Sequence, residues 1–213
     1  IPSLVGSEMC IRDRMGIGKM TTHHIKRNCQ SGFTLVELLI VAIILAILAA
    51  IVVPQFAAST NDARASALRS NLSNIRGAID LYAQQHGGAF PAAVASTGGT
   101  CTGGTAGTGA ADTVAALAEQ LTRYSNANGQ TCSIQDIGGD GSIEFPFGPY
   151  LKSDSLPDNP VTDTAAVKFE SAGDLAMRAQ ATPGLGWRYD TTSGKFIADD
   201  DSLDPSGVAY DTY

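Results

Sequence analysis

The chain is 213 residues long, 44% hydrophobic and 16% charged, with a formal net charge of −7, enough for one modest domain with appended segments. The charge is unevenly divided: residues 1–32 hold five Lys/Arg against two acids, whereas from Phe33 onward nine bases face nineteen acids. An acidic body argues against nucleic-acid binding, which needs a basic face, and a basic head before an apolar run has the form of a targeting segment.

Residues 1–14 have neither apolar periodicity nor the simplicity of a leader, and positions 5–14 resemble translated sequencing-adapter read-through. They are expected to be a non-native extension, with the start at Met15 or Met20. Residues 15–32 then read as a short polar leader carrying Lys26 and Arg27. The stretch 33–56, FTLVELLIVAIILAILAAIVVPQF, follows with a single charge, Glu37. At about 1.5 Å per residue it makes roughly 36 Å of helix, enough to cross a ~30 Å hydrocarbon core. The basic residues lie on its N-terminal side, which puts the leader in the cytoplasm and the body outside. A secretory signal peptide has a shorter apolar core and no need of a carboxylate. A plain single-span anchor would carry Glu37 in hydrocarbon at a cost with nothing to offset it.

Gly32-Phe33-Thr34-Leu35-Val36-Glu37, with basic residues upstream, a long apolar helix downstream and Pro54 within it, resembles the cleavage and methylation motif of type IV prepilins and type II secretion pseudopilins. The resemblance implies a membrane-embedded prepilin peptidase that cuts after Gly32 and methylates Phe33. It also implies that Glu37 pairs with the Phe33 amine of a neighbouring subunit, an arrangement whose value lies in alignment more than in net stability. Pro54 lacks an N–H and crowds the preceding turn, so it is expected to bend or locally melt the helix, or to end it at residue 53.

Beyond Pro54 the pattern becomes one-sided. Ala65, Leu68, Leu72, Ile75, Ile79 and Tyr82 recur every three or four residues among polar neighbours, which predicts an amphipathic helix over 57–86 that lays one stripe on a soluble domain. Gly87-Gly88 and Pro91 are its stop signals. Residues 92–111, nearly all Gly, Thr and Ala from position 96, are expected to form a variable, flexible surface loop, and no Gly-Lys-Ser/Thr supports a phosphate loop. Val114, Leu117, Leu121 and Tyr124 predict a short helix over 112–124 with Asp112 as N-cap. Val167 and Phe169 mark a short strand, and WRYD and KFIA around Thr-Thr-Ser-Gly predict a hairpin.

The whole is expected to be α+β: a long N-terminal membrane-spanning helix packed on a small antiparallel sheet drawn from 143–198, a pilin-like fold. Several segments resemble the major type II secretion pseudopilins: Ile79–Tyr82 with Phe90-Pro91, Phe147 to Leu151, Leu156-Pro157, Asn159-Pro160, and the closing hairpin. Cys101 and Cys132, the even pair left in an exported body, are expected to form one disulfide. The acidic tail 199–213 contains Asp199, Asp200, Asp201 and Asp204. These could ligate calcium, as the resemblance implies for that subfamily, or could simply be solvated. No other cofactor is expected. His86, the one histidine after Phe33, is expected to be a C-terminal helix cap, and no nucleophile elbow or His-Glu-x-x-His points to catalysis.

The expected function is that of a structural subunit of the periplasmic pseudopilus of type II secretion, held in the bacterial inner membrane by one span. Its partners would be itself, the prepilin peptidase, an inner-membrane assembly platform and minor pilins or pseudopilins. A type IV pilus subunit for adhesion, motility or DNA uptake stays open, as does a single-span anchored periplasmic binding domain.

Overall fold

The computed structural model describes residues 33–138, 141–180 and 185–213. The expected extension 1–14, the leader 15–32 and the cleavage residue Gly32 lie outside the described residues. The chain forms two units that part between Ala46 and Ile47. Helix α1, Leu35–Gln85, carries Pro54 in its interior. It stays helical through the proline, so the expected break at residue 53 does not occur, nor does local melting.

Within the second unit every member of the predicted stripe is buried: Ala65 at 3% exposure, Leu72 at 1%, and Leu68, Ile75, Ile79 and Tyr82 at 0%. They pack with Leu117 and Leu121 of helix α2, Val114–Thr122, and with Trp187, Tyr189 and Phe196. Burial of such side chains contributes roughly 1.5–3 kcal/mol each. The helix stops as its sequence directs: Gly87 takes φ +65° and Gly88 φ +92°, and Gly88 N donates to Ala83 O.

Strands β1, Tyr124–Ser125, and β2, Thr131–Cys132, pair antiparallel. Strands β4, Trp187–Asp190, and β5, Phe196–Ala198, form the predicted hairpin, with Trp187 opposite Ala198 and Tyr189 opposite Phe196. Strand β3, Val167–Glu170, adds to β4 in parallel, so this α+β fold has one parallel edge. Two aromatic side chains of the hairpin fix the loops that precede it: Trp187 Nε1 donates to Pro157 O and Tyr189 Oη to Pro91 O.

Two local expectations are corrected. Asp112 adopts φ +56°, not the extended backbone an N-cap needs, and its carboxylate accepts from Thr191 Oγ1. Thr113 caps α2 instead, accepting from Ala116 N, while Val114 is exposed and Tyr124 belongs to β1. The Gly/Thr/Ala stretch is a largely exposed loop, as expected, but Glu119 of α2 pins it at Ser96, Thr108 and Gly109. The Glu119 carboxylate, 8% exposed, accepts from Ser96 Oγ, Thr108 N at 2.9 Å, Thr108 Oγ1 at 3.1 Å and Gly109 N at 3.1 Å. Burial works to raise its pKa, but these bonds outweigh burial and lower it. Gly109 lies so close that a Cβ there would come within 2.1 Å of Ala116 N.

Finally, 199–213 is not a solvated tail. Leu203 bridges Ala209, Tyr210–Thr212 form a 3-10 turn, and Arg69 and Arg76 of α1 hold the segment down.

Cys101 and Cys132 form the expected disulfide, with Cα atoms 5.6 Å apart and 31 residues of separation. It ties the Gly/Thr/Ala stretch to β2. In the chain-entropy model this contributes about 3–4 kcal/mol. Changing both residues to Ser is expected to lower the melting temperature by roughly 10 °C, measured by thermal unfolding beside the reduced native chain. Near-identical melting of all three species would show that the bridge adds nothing.

Candidate functional site

The residues with the clearest chemical assignment stand at the start of α1. Thr34 and Glu37 form a reciprocal cap: Thr34 N and Thr34 Oγ1 each donate to Glu37 Oε2 at 3.0 Å, and Glu37 N donates to Thr34 Oγ1 at 3.2 Å. This is a capping box, in which two orphan helix donors are satisfied by one Thr-x-x-Glu pair. Thr-x-x-Glu before an apolar run is a sequence signature of such a helix start. Both bonds fall on Oε2, and among the described residues Oε1 accepts none. The carboxylate is therefore anchored at a helix N-terminus, where the macrodipole favours an anion.

Every residue from Phe33 to Phe56 is exposed, and one 18-residue window of α1 reaches a mean hydropathy of 3.2 with none of it buried. A core helix of a soluble protein buries such a surface. Here the chain itself leaves that surface uncovered, and the helix is long and apolar enough to cross a membrane. Phe33 itself is 84% exposed. Beyond Pro54, Thr60 Oγ1 donates to Phe56 O at 2.8 Å.

The four candidate calcium ligands do not converge. Asp199 accepts from Arg188 Nε at 3.0 Å and from Gln180 N at 3.3 Å, Asp200 accepts from Ser202 N at 2.8 Å, and Asp201 is exposed. Asp204 accepts from Tyr213 Oη, from Ser206 and Val208, and from Arg69 Nη2 at 2.8 Å. The Tyr213 bond, followed by those from Ser206 and Val208, holds its carboxyl far below the usual range. Among the described residues no group of three or more His, Cys, Asp or Glu is placed to hold a metal ion. Sequence reasoning also missed the partner of this acidic segment, Arg188. That side chain is 7% exposed and lies between Glu170 Oε1 at 3.1 Å and Asp199 Oδ1 at 3.0 Å.

Residues 27–53 match the model of the prokaryotic N-terminal methylation motif. Over 58 residues the chain is 41% identical to a Pseudomonas aeruginosa protein, type II secretion system core protein G, a stretch that covers 27% of this chain and 41% of that protein. No solved structure matches the chain. The chain thus joins a helix that opens on a methylation motif to an α+β body, and over its matched stretch it is similar to that core protein of type II secretion, of which it spans less than half the length.

Proposed function

We propose that the chain is a structural subunit, not an enzyme, of the pseudopilus of type II secretion. The precursor is stored in the inner membrane by residues 33–56 with its body in the periplasm. A prepilin peptidase cuts between Gly32 and Phe33 and methylates Phe33. The freed subunits then stack into an open helical filament at an inner-membrane platform, joined by minor pseudopilins. Cleavage turns the Phe33 nitrogen from an amide into an ammonium at the edge of hydrocarbon. The anchored carboxylate of Glu37 on an adjacent subunit is the anion that matches it. No resident cofactor enters this assignment.

One observation carries it: a capped helix, apolar and exposed throughout 33–56, that opens on the matched methylation motif. Mass sequencing of the N-terminus of the mature protein is expected to find methylated Phe33. A native polypeptide that retains Gly32 in the presence of prepilin peptidase would be an uncut membrane-anchored domain, and the filament assignment would fail. Neighbouring genes for a secretion ATPase and a secretin are expected, rather than a retraction motor.

A further inference from the structure

His86 lies at the junction of three pieces of the body. Its ring stacks on Tyr82 of α1 with centroids 3.7 Å apart and meets the edge of Phe147 at 5.0 Å and Tyr150 at 6.4 Å. Nδ1 is 2.9 Å from Tyr82 O, and Nε2 is 3.1 Å from Ser125 Oγ of β1. A carbonyl only accepts, so Nδ1 carries the proton and Nε2 accepts from the Ser125 hydroxyl. The residue is 8% exposed. The titratable groups facing it are the phenols of Tyr82, from its own helix, and Tyr150, from the segment after β2. Both phenols are pushed up by burial, so neither gains charge below pH 10. Ser125 and Phe147 are neutral, and among the described residues no carboxylate bonds to the ring. A cavity lined by Tyr82, His86, Val94, Asn128 and Gly129 separates this cluster from the turn 126–130. Gln120 Nε2 of α2 donates to Gly129 O of this turn at 2.7 Å.

We infer that His86 is a proton-operated latch: in mildly acidic surroundings it takes up a proton, and the turn 126–130 comes away from the end of α1. The physical cause is a cation formed in an aromatic enclosure with no anion to answer it. Burial lowers the imidazole pKa from its ordinary value, against smaller raising contributions from the main chain of Tyr82 and Asn126. The unfolded or opened form therefore binds the proton first. Stability is complete above about pH 6.5 and is lost as the pH falls from there through the folded value. Glu119, Asp190 and Asp204 are lowered from their ordinary values, so their contributions fade only below about pH 5. Among the described residues the interval between belongs to His86, and comparison with a His86 variant separates it from His23 and His24.

The test uses the full chain in detergent micelles, with unfolding followed by Trp187 fluorescence between pH 5.0 and 8.0. It does not depend on filament assembly, so its failure and that of the pseudopilus assignment are distinguishable. The native chain is expected to lose melting temperature as the pH falls from 6.5 to 5, by roughly 3–5 °C for each tenfold change in the folding constant, whereas His86→Phe stays level over that interval. A flat native profile, or an equal slope in the variant, overturns the latch. If His86→Phe does not fold, hydrogen exchange on the native chain decides. The amides of Ser125 and Gly129 should lose protection on acidification, relative to the α2 amides and after correction for intrinsic rate. Unchanged relative protection overturns the latch equally.

Discussion

Glu37→Val is expected to insert and be cut normally, yet to lower filament yield by about tenfold or more, because the Phe33 ammonium of each neighbour is left without an anion in hydrocarbon. The valine variant also removes the capping box, so a second substitution separates the two roles. Glu37→Gln keeps a side chain that can accept from Thr34 N and Thr34 Oγ1, the bonds seen at 3.0 Å, since Gln serves in a capping box as Glu does. It removes only the charge. If ion pairing between subunits is what Glu37 supplies, the glutamine variant assembles as poorly as the valine variant. If local capping is its whole contribution, the glutamine variant assembles like the native chain. The measurement is sheared filament quantified against total mature subunit, with N-terminal sequencing to confirm that cleavage is intact in each case.

Arg188→Ala is expected to be strongly destabilising. Arg188 is the cation between Glu170 and Asp199, and the side chain of Asp199 is itself 5% exposed. Removing the arginine strands a buried carboxylate, which typically costs about 3–5 kcal/mol. For a chain of this size that lowers the melting temperature by roughly 10 °C or more. Lysine restores the charge but cannot fork to two carboxylates, so Arg188→Lys should recover only part of the loss. The double variant Arg188→Met/Asp199→Leu removes the stranded charge together with its partner and should be less damaged than Arg188→Ala. Denaturant unfolding of the four proteins checks this order. A loss below about 1 kcal/mol for Arg188→Ala, the range of an exposed pair, would show that water reaches the site.

The parts of the fold that were legible in the sequence are those governed by local rules. The stripe from Ala65 to Tyr82 follows helical spacing, the Gly87-Gly88 stop follows the need for positive φ, and the β4–β5 hairpin follows alternation around a Gly-containing turn. The start of α1 was legible in principle, since Thr34-x-x-Glu37 is a capping signature. What could not be read depends on partners distant in sequence. Nothing near Asp112 announces that Thr191 will claim its carboxylate and draw it out of capping geometry. Gly, Thr and Ala have the composition of a linker, and only the arrival of Glu119 gives Ser96, Thr108 and Gly109 a common acceptor. The acids of 199–204 look solvated until Arg69 and Arg188 are brought to them across more than a hundred residues and eleven residues respectively. The parallel edge of β3 is likewise set by which neighbour remains unpaired, not by its own alternation.

The grip of α1 on Tyr213 also has a bearing on how the protein can be labelled. Arg76 Nη2 donates to the Tyr213 main-chain oxygen at 2.6 Å, and the Arg69 guanidinium lies over the Tyr213 ring, 4.2 Å from its centroid. A fluorophore attached to the Tyr213 ring would compete with the Arg69 contact and loosen the clasp that keeps 199–213 on the helix. The exposed positions Ser153 and Asp154 offer a site where a reporter meets solvent and leaves that clasp untouched.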